Sequence, residues 1–300
     1  MAFKILVVDD DHAALQIMTD ILKSYRVTTA DSGKDMMRKL QDTEFDLILL
    51  DIMLPDHSGF ELFGKIREIE LHADTPVIFV SAKNEGHEIR EGLEYGADDY
   101  ITKPLNEDII VSRVEAVIKR TVYERSLLFQ AMNDPLTGIL NRKFFFKRGQ
   151  EELLRAMRTD SSITVAMLDI DHFKNVNDRF GHQAGDFILK AFAEEIKEHI
   201  RSYDLLARYG GEEFIILLID CSKWEALEIL TRLRKAVAEK FYKFSSFKIN
   251  FTFSGGIADV KDMKSESKSI DDMIKVADDR LFVAKNAGRN KLVHGTSNNK

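Results

Sequence analysis

Short, densely apolar segments at 3–8, 26–29, 45–50, 77–81 and 99–102 alternate with helix-length amphipathic stretches along the first third of the chain. Such βα alternation predicts a parallel sheet covered by helices on both faces, with ligands gathered at the carboxyl ends of its strands. The last of these helices begins near Asn106 and has no clean stop. Apolar residues recur at spacings of three and four through Val111, Val114, Ile118, Thr121, Leu128 and Met132, with Arg125 interrupting the stripe, and no Gly or Pro intervenes before Pro135. The pattern predicts one long helix. Its stripe fits either a seam that pairs with a second copy as a short coiled coil or a face packed on its own domain.

Asn133-Asp134-Pro135 reads as a helix stop followed by a new cap. Beyond it the pattern changes. Segments 163–168, 214–219 and 248–253 are strand candidates, whereas 184–200, 223–240 and 270–286 carry the periodicity of amphipathic helices. Gly210-Gly211 stands between two apolar runs, 205–209 and the one after Glu213, and predicts a tight hairpin in which both glycines occupy turn positions of positive φ. The second part is therefore α/β with an antiparallel element.

A length of 300 residues exceeds what one core ordinarily organises and favours two domains of about 150 residues. Hydrophobic residues at 44% and charged residues at 31% supply a core and a solvated surface, and no apolar run approaches the roughly 18 to 20 residues of a membrane span. The N-terminal residues run straight into a strand-like segment without the zones of a secretory signal, so the expectation is a cytoplasmic protein with no membrane partner. One cysteine, Cys221, forms no internal disulfide and no zinc cluster. Residues 1–119 hold 13 Lys and Arg against 24 Asp and Glu, and the remainder 30 against 26. The acidic part suits metal ions. The mildly basic part tolerates polyanions such as nucleotides but is too weakly basic to argue for DNA.

Asp9 and Asp10 follow the first predicted strand, Asp51 the third, Ser81 closes the fourth and Lys103 follows the fifth. In a parallel sheet these ends share one edge, and three carboxylates gathered there repel one another unless a cation such as Mg²⁺ joins them. The ordered set Val7-Val8-Asp9-Asp10, Leu50-Asp51-Ile52-Met53-Leu54-Pro55, Val80-Ser81-Ala82 and Tyr100-Ile101-Thr102-Lys103-Pro104 resembles the receiver domains of two-component signalling over residues 1–119. The resemblance implies a flavodoxin-like fold with a parallel five-stranded sheet and a cognate histidine kinase as partner. It implies Asp51 as phosphoacceptor and one Mg²⁺ held by Asp9, Asp10, Asp51 and the Met53 carbonyl. Ser81 and Lys103 then meet the phosphoryl oxygens, Tyr100 is the switch, and the Lys103-Pro104 bond is cis.

Asp169 ends the strand at 163–168, and the hairpin sets Glu212 and Glu213 beside it if the two strands are neighbours. Carboxylates at a sheet edge can hold divalent metal against a triphosphate. Residues 134–296 are similar to the GGDEF domain of diguanylate cyclases, a palm-like mixed sheet surrounded by helices. The likeness rests on Asp134-Pro135-Leu136-Thr137-Gly138-Ile139-Leu140-Asn141-Arg142, on Asp169-Ile170-Asp171-His172-Phe173-Lys174-Asn175-Val176-Asn177-Asp178, on Phe180-Gly181-His182 with Gly185-Asp186, on Arg208-Tyr209-Gly210-Gly211-Glu212-Glu213-Phe214, and on Ala284-Lys285-Asn286-Ala287-Gly288-Arg289-Asn290. Residues 120–133 become a helical linker and 297–300 a tail.

Carried over by position, the resemblance implies condensation of two GTP into cyclic di-GMP with release of two pyrophosphates. Asp169, the Ile170 carbonyl, Glu212 and Glu213 hold one or two Mg²⁺, and Glu213 is either a ligand or the base for the attacking 3′-hydroxyl. Asn177 and Asp186 read guanine, Lys174, Lys285 and Arg289 bind phosphate, and Phe173, Gly210 and Gly211 line the nucleotide site, with Asp169, Lys174, Glu212 and Glu213 as the catalytic set. Each GTP attacks the other's α-phosphate, which requires a symmetric homodimer. Arg201 and Asp204 stand where the family carries a product-inhibition motif, with Arg232 completing it. The alternative is a catalytically silent module that senses a nucleotide; a DNA-binding regulator lacks a helix-turn-helix in the output half.

Overall fold

The computed structural model describes residues 3–82, 96–263 and 269–295. It divides into two compact units, Met1–Leu127 and Leu128–Lys300, so the division falls inside a helix.

In the first unit, β1 (Lys4–Val8), β2 (Arg26–Ala30), β3 (Leu47–Asp51), β4 (Val77–Ala82) and β5 (Asp99–Lys103) pair in parallel in the order β2-β1-β3-β4-β5. The helices are α1 (His12–Ile21), α2 (Gly33–Asp42), α3 (Gly59–Glu68) and α4 (Glu107–Met132). Successive strand side chains point to opposite faces. Ile5, Val7, Leu47, Leu49, Ile78 and Val80 pack with Leu15, Met18, Ile110, Val114 and Ile118 of α1 and α4. Leu6, Val8, Ile48, Leu50 and Phe79 pack with Met36, Leu40, Leu62 and Ile66 of α2 and α3. Burial on both faces is why β1, β3 and the first four residues of β4 read as unbroken apolar runs. Asp11 caps α1 by accepting from the Ala13 N–H, and Ser58 with Glu61 forms a reciprocal cap on α3.

The apolar stripe of α4 splits into two regimes. Ile110, Val114, Val117 and Ile118 are buried in the first unit's core, whereas Val122, Tyr123, Leu127, Leu128 and Phe129 are each about half exposed. The reading of a helix packed on its own domain thus holds for the first half of α4 only.

The second unit carries β6 (Leu140–Asn141), α5 (Arg142–Thr159), β7 (Ile163–Ile170), α6 (Phe173–Phe180), α7 (His182–His199), β8 (Leu205–Gly210), β9 (Glu213–Ile219), α8 (Lys223–Glu239), β10 (Tyr242–Phe244), β11 (Phe247–Ile249), β12 (Phe253–Asp259), α9 (Ile270–Asn286) and β13 (Leu292–Val293). Its six-stranded sheet runs β13-β12-β7-β9-β8-β6, antiparallel through β12, β7, β9 and β8. Ala166, Leu168 and Ile170 of β7 face a core with α7 and α8, while Ile163, Val165 and Met167 face α5 and α9.

Three expectations are corrected here. Segment 248–253 is not one strand: residues 247–249 belong to the β10–β11 ribbon, and the sheet strand is Phe253–Asp259. Asn250 turns the chain between them by donating to the carbonyls of Ala238 and Lys240. Asp134 caps a turn rather than a helix, accepting from the N–H and hydroxyl of Thr137, and the next helix begins at Arg142 with Asn141 as its cap. The hairpin turn is Gly211-Glu212, not Gly210-Gly211. Gly210 is the last residue of β8, paired with Glu213, and of the two glycines only Gly211 has positive φ, at 48°.

Candidate functional site

At the carboxyl edge of the first sheet the strand ends deliver their acids as expected. Asp9, Asp10 and Asp51 place ligand oxygens within 4.8 Å of one another. Asp9 and Asp51 are buried, and Asp10 is exposed. Lys103, at the end of β5, sets its Nζ 2.6 Å from Asp51 Oδ2 and 2.9 Å from Asp9 Oδ2. Burial drives the Asp9 carboxyl above its ordinary value against the pull of Lys103, and the Asp51 charge pushes the same way. Burial works to lower the Lys103 ammonium, but Asp51 and Asp9 outweigh it and hold it above its ordinary value. Three carboxylates drawn together, two of them against one ammonium, form a donor set that suits a hard divalent cation.

Asp51 Oδ1 accepts from the Met53 N–H at 2.9 Å, and the Met53 side chain is exposed. Ser81 is buried, with an Oγ that has no hydrogen-bond partner among the described residues. Tyr100 is half-buried under the Arg113 guanidinium, 5.1 Å from its ring centroid, and the Lys103-Pro104 bond is cis. Sequence reasoning passed over Asp56. Its carboxylate accepts from the N–H groups of Gly33 and Lys34 and so fastens the loop after β3 onto the start of α2. Some burial opposes these bonds, yet they hold the carboxyl down at about 2.

At one edge of the second sheet, Asp169 is the register partner of Glu213, and the Glu212 carbonyl accepts from the Ile170 N–H. Glu212 sits in the turn and Glu213 opens β9. The three acids are neighbours, but their oxygens are not drawn together as tightly as those at the first edge. The Lys285 ammonium, from the last turn of α9, instead meets Asp169 Oδ2 at 2.7 Å. Burial pushes the Asp169 carboxyl up to about 6; Lys285 opposes this, and Glu212 and Glu213 add to it. Glu213 is likewise raised, by burial first and then by Asp278 and Glu212, with Lys285 opposing. A buried carboxylate with two acidic neighbours carries an excess of negative charge that the Lys285 ammonium offsets in part.

Phe173 is buried and Lys174 exposed at the start of α6, which leaves the sheet through His172 in the left-handed region. Asn177, half-buried, lies against Gly185, where a Cβ would collide with its side-chain amide. The absence of a side chain at 185 therefore leaves room for the Asn177 amide, and Asp186, the next residue, is exposed. A Cβ at Gly210 or Gly211 would meet no close protein contact. Arg208, which sequence reasoning left without a role, ties the hairpin to the turn before β6: its Nε donates to the Gly211 carbonyl at 2.9 Å and its Nη1 pairs with Asp134 at 3.3 Å.

Arg201 and Arg232 share a cleft of about 760 Å³ between the end of α7 and α8, with Glu198, Glu225 and Cys221. Asp204 does not line it. Its Oδ1 accepts from the Ile219 N–H and its Oδ2 from the Arg201 N–H, so both oxygens are engaged in holding the loop.

A family model described as "Diguanylate cyclase, GGDEF domain" matches residues 131–291, and one described as "Response regulator receiver domain" matches residues 5–115. Response regulator PleD of Caulobacter vibrioides is 27% identical over 299 residues, covering 97% of this chain and 65% of that protein. Diguanylate cyclase DgcP of Pseudomonas aeruginosa is 39% identical over 163 residues, covering 54% of this chain and 24% of that protein. The chain thus spans less than two thirds of either relative. The solved GGDEF domain of DgcB from Caulobacter crescentus, in complex with c-di-GMP, is 31% identical with a TM-score of 0.51, over 55% of this chain and 95% of that one. A longer DgcB structure that includes its coiled coil is 27% identical with a TM-score of 0.56, over 63% and 98%. No helix among the described residues is long and apolar enough to cross a membrane. With the GGDEF model matching more than half of its length, and the receiver model the part before it, the chain belongs to the GGDEF family and carries a receiver domain ahead of its GGDEF domain.

Proposed function

We propose that the chain is a phosphorylation-regulated diguanylate cyclase that condenses two GTP into cyclic di-GMP, works as a homodimer and is restrained by its product. The observation that carries this reading is the register of β7 against β9. It sets buried Asp169 opposite Glu213, beside the turn that holds Glu212, with Lys285 from a third element at the same edge. Asn177, whose amide lies against Gly185, and Asp186, the residue after that glycine, would offer a guanine edge an amide and an acceptor carboxylate. Lys174, Lys285 and Arg289 supply cations for the phosphates, and Phe173 and the bare backbone of Gly210 and Gly211 border the nucleotide.

Asp169, Glu212, Glu213 and the Ile170 carbonyl would hold Mg²⁺, which when bound offsets charge on the phosphoryl oxygens. Each 3′-hydroxyl attacks the α-phosphorus of the opposite GTP, one P–O bond forms, and the bond to the β-phosphate oxygen breaks to release pyrophosphate. Glu213 serves either as a further ligand of the Mg²⁺ ion or as the group that takes the hydroxyl proton. A cognate histidine kinase supplies the phosphoryl group for Asp51; Asp9, Asp10, Asp51 and the Met53 carbonyl would hold Mg²⁺, Ser81 and Lys103 would meet the phosphoryl oxygens, and Tyr100 would be the switch.

Incubation of the purified chain with GTP and Mg²⁺ is expected to yield cyclic di-GMP and two pyrophosphates per dinucleotide, and chelation of the metal to stop it. GTP bound without any dinucleotide formed would leave a nucleotide-sensing module instead. For the restraint, the two arginines facing one cleft offer guanidinium groups to phosphate and guanine alike. Arg201→Ala is expected to keep synthesis within about twofold and to weaken inhibition by added cyclic di-GMP by at least about tenfold, the loss of one such contact being worth about 1.4 kcal/mol or more. Unchanged inhibition in initial-rate assays excludes this cleft as the restraining site.

A further inference from the structure

Asp171 stands two residues past Asp169, is buried, and has no basic partner among the described residues. Its Oδ1 accepts from the Ser254 hydroxyl at 2.7 Å; its Oδ2 accepts from the Thr252 hydroxyl at 2.7 Å and from the Asn290 N–H at 2.9 Å. Asn290 is held from its other side by Arg234 of α8, whose Nη1 donates to the Asn290 carbonyl at 3.1 Å and to its Oδ1 at 2.8 Å.

The segment gripped in this way has an unfavourable shape. Gly288, Arg289 and Asn290 have φ of 105°, 60° and 47°, three successive residues in the left-handed region, two of which bear side chains. Such a run does not maintain itself and persists when its surroundings fix it. It follows directly on α9, the helix that delivers Lys285 to Asp169, and it carries Arg289, which is exposed and whose guanidinium makes no hydrogen bond or ion pair among the described residues. A cation with no partner among the described residues, on a turn clamped from two sides beside an acidic edge, is a group placed in advance for an anion.

We propose that Asp171 and Arg234 are positioning residues that clasp the 288–290 turn so that Arg289 is ready for the β- and γ-phosphates of the nucleotide. Neither residue touches the nucleotide; both act through Asn290. The inference rests on the reading of this edge as a GTP site and adds which residues outside the binding set determine how well the triphosphate is held. Arg234 is two positions beyond Arg232 on α8, so one helix reaches both the arginine cleft and this turn.

The test compares full-length wild type with Arg234→Ala and Arg234→Lys, binding a non-hydrolysable GTP analogue and GMP in parallel, together with KM and kcat for GTP. Arg234→Ala is expected to weaken the triphosphate analogue about tenfold and to leave GMP within about twofold, KM rising by the same factor and kcat changing less. Arg234→Lys is expected to recover at least half of the loss, because one nitrogen makes both bonds to Asn290 and an ammonium can replace it. Equal weakening of both ligands with a lowered Tm assigns Arg234 a merely structural part and overturns the proposal, as does an unchanged ratio of affinities. A wild type that binds GMP as tightly as the triphosphate also overturns it. If wild type makes no dinucleotide while the affinity ratio still shifts, the cyclase reading fails and the clasp stands.

Discussion

Asp169→Asn is expected to lower dinucleotide synthesis by roughly 10²–10³-fold or more, the range found when one preorganised charge-stabilising group is removed from an active site, and at the same time to stabilise the metal-free protein. The second half of this result follows from burial. Asp169 is 5% exposed and its carboxyl is pushed from 3.8 up to about 6 despite the Lys285 ammonium 2.7 Å away. Between these two values the folded chain keeps a proton that the unfolded chain has released. Stability therefore falls as pH rises through that window, and above it the ionised carboxylate costs about 3 kcal/mol. Asparagine has the same shape and no charge to bury, so that cost disappears, partly offset because Lys285 loses its partner.

Urea unfolding in chelating buffer at pH 5 and pH 7.5 reads the stability, and initial rates with GTP and Mg²⁺ read the chemistry. The variant is expected to gain the full amount at pH 7.5 and about half of it at pH 5, which lies midway through the window. An undiminished rate removes Asp169 from the reacting edge, and an unchanged difference between the two pH values means the carboxylate is not destabilised by its surroundings.

Function opposed to stability at one residue bears on what the sequence could disclose. Asp9, Asp51 and Ser81 were legible because a parallel strand buried on both faces is a continuous apolar run, so a polar residue at its end stands out. Asp169 was legible for the same reason at the end of eight buried positions. Phe253–Asp259 was not, because Gly255-Gly256 reads as a turn while in the fold Gly256 lets the backbone of α9 press against the sheet, where a Cβ would strike the Ala277 carbonyl. Helix α5 opens on three consecutive phenylalanines, of which only Phe145 is fully buried, and this blurs its period.

The placement of the turn at Gly211-Glu212 depends on an irregularity in the β8–β9 register between Arg208 and Gly210, which no local pattern encodes. The resemblance placed Asp204 with Arg201 in a product-inhibition motif, and local pattern gave no sign that both its oxygens accept from backbone N–H groups, one of them fifteen residues away. The Asp171 clasp is the extreme case: its bonds join residues 56 to 119 positions apart, from four segments. Periodicity reports which face of an element is buried. It is silent on which polar atoms meet across the fold.

Asp51→Asn is expected to abolish covalent labelling by a small phosphodonor such as acetyl phosphate and to remove the stimulation of synthesis by beryllofluoride, leaving basal synthesis in place. The lost stimulation is on the scale of about 5- to 150-fold, the usual range of coupling between two sites. The acceptor oxygen lies in a site built to receive charge: Lys103 Nζ is 2.6 Å from Oδ2, and the Ser81 Oγ is buried without a partner. A phosphoryl group on Asp51 gives both of them oxygens to meet, drawing Lys103 away from the carboxylates it now bridges. Lys103 ends the strand that leads, after Pro104, into α4 beginning at Glu107, so a change in its bonding arises close to the helix that continues to Met132. Asparagine removes the nucleophile while keeping the shape, and Lys103 retains Asp9 at 2.9 Å, so the folded state survives. Relief of repulsion between Asp51 and Asp9 acts in the stabilising direction, and Tm is expected to stay level or rise. Intact-mass measurement after acetyl phosphate treatment checks the labelling, and rates with and without beryllofluoride check the coupling. Persistent labelling places the acceptor on another residue. Persistent stimulation of an unlabelled variant shows that beryllofluoride acts somewhere other than the edge formed by β1, β3 and β5.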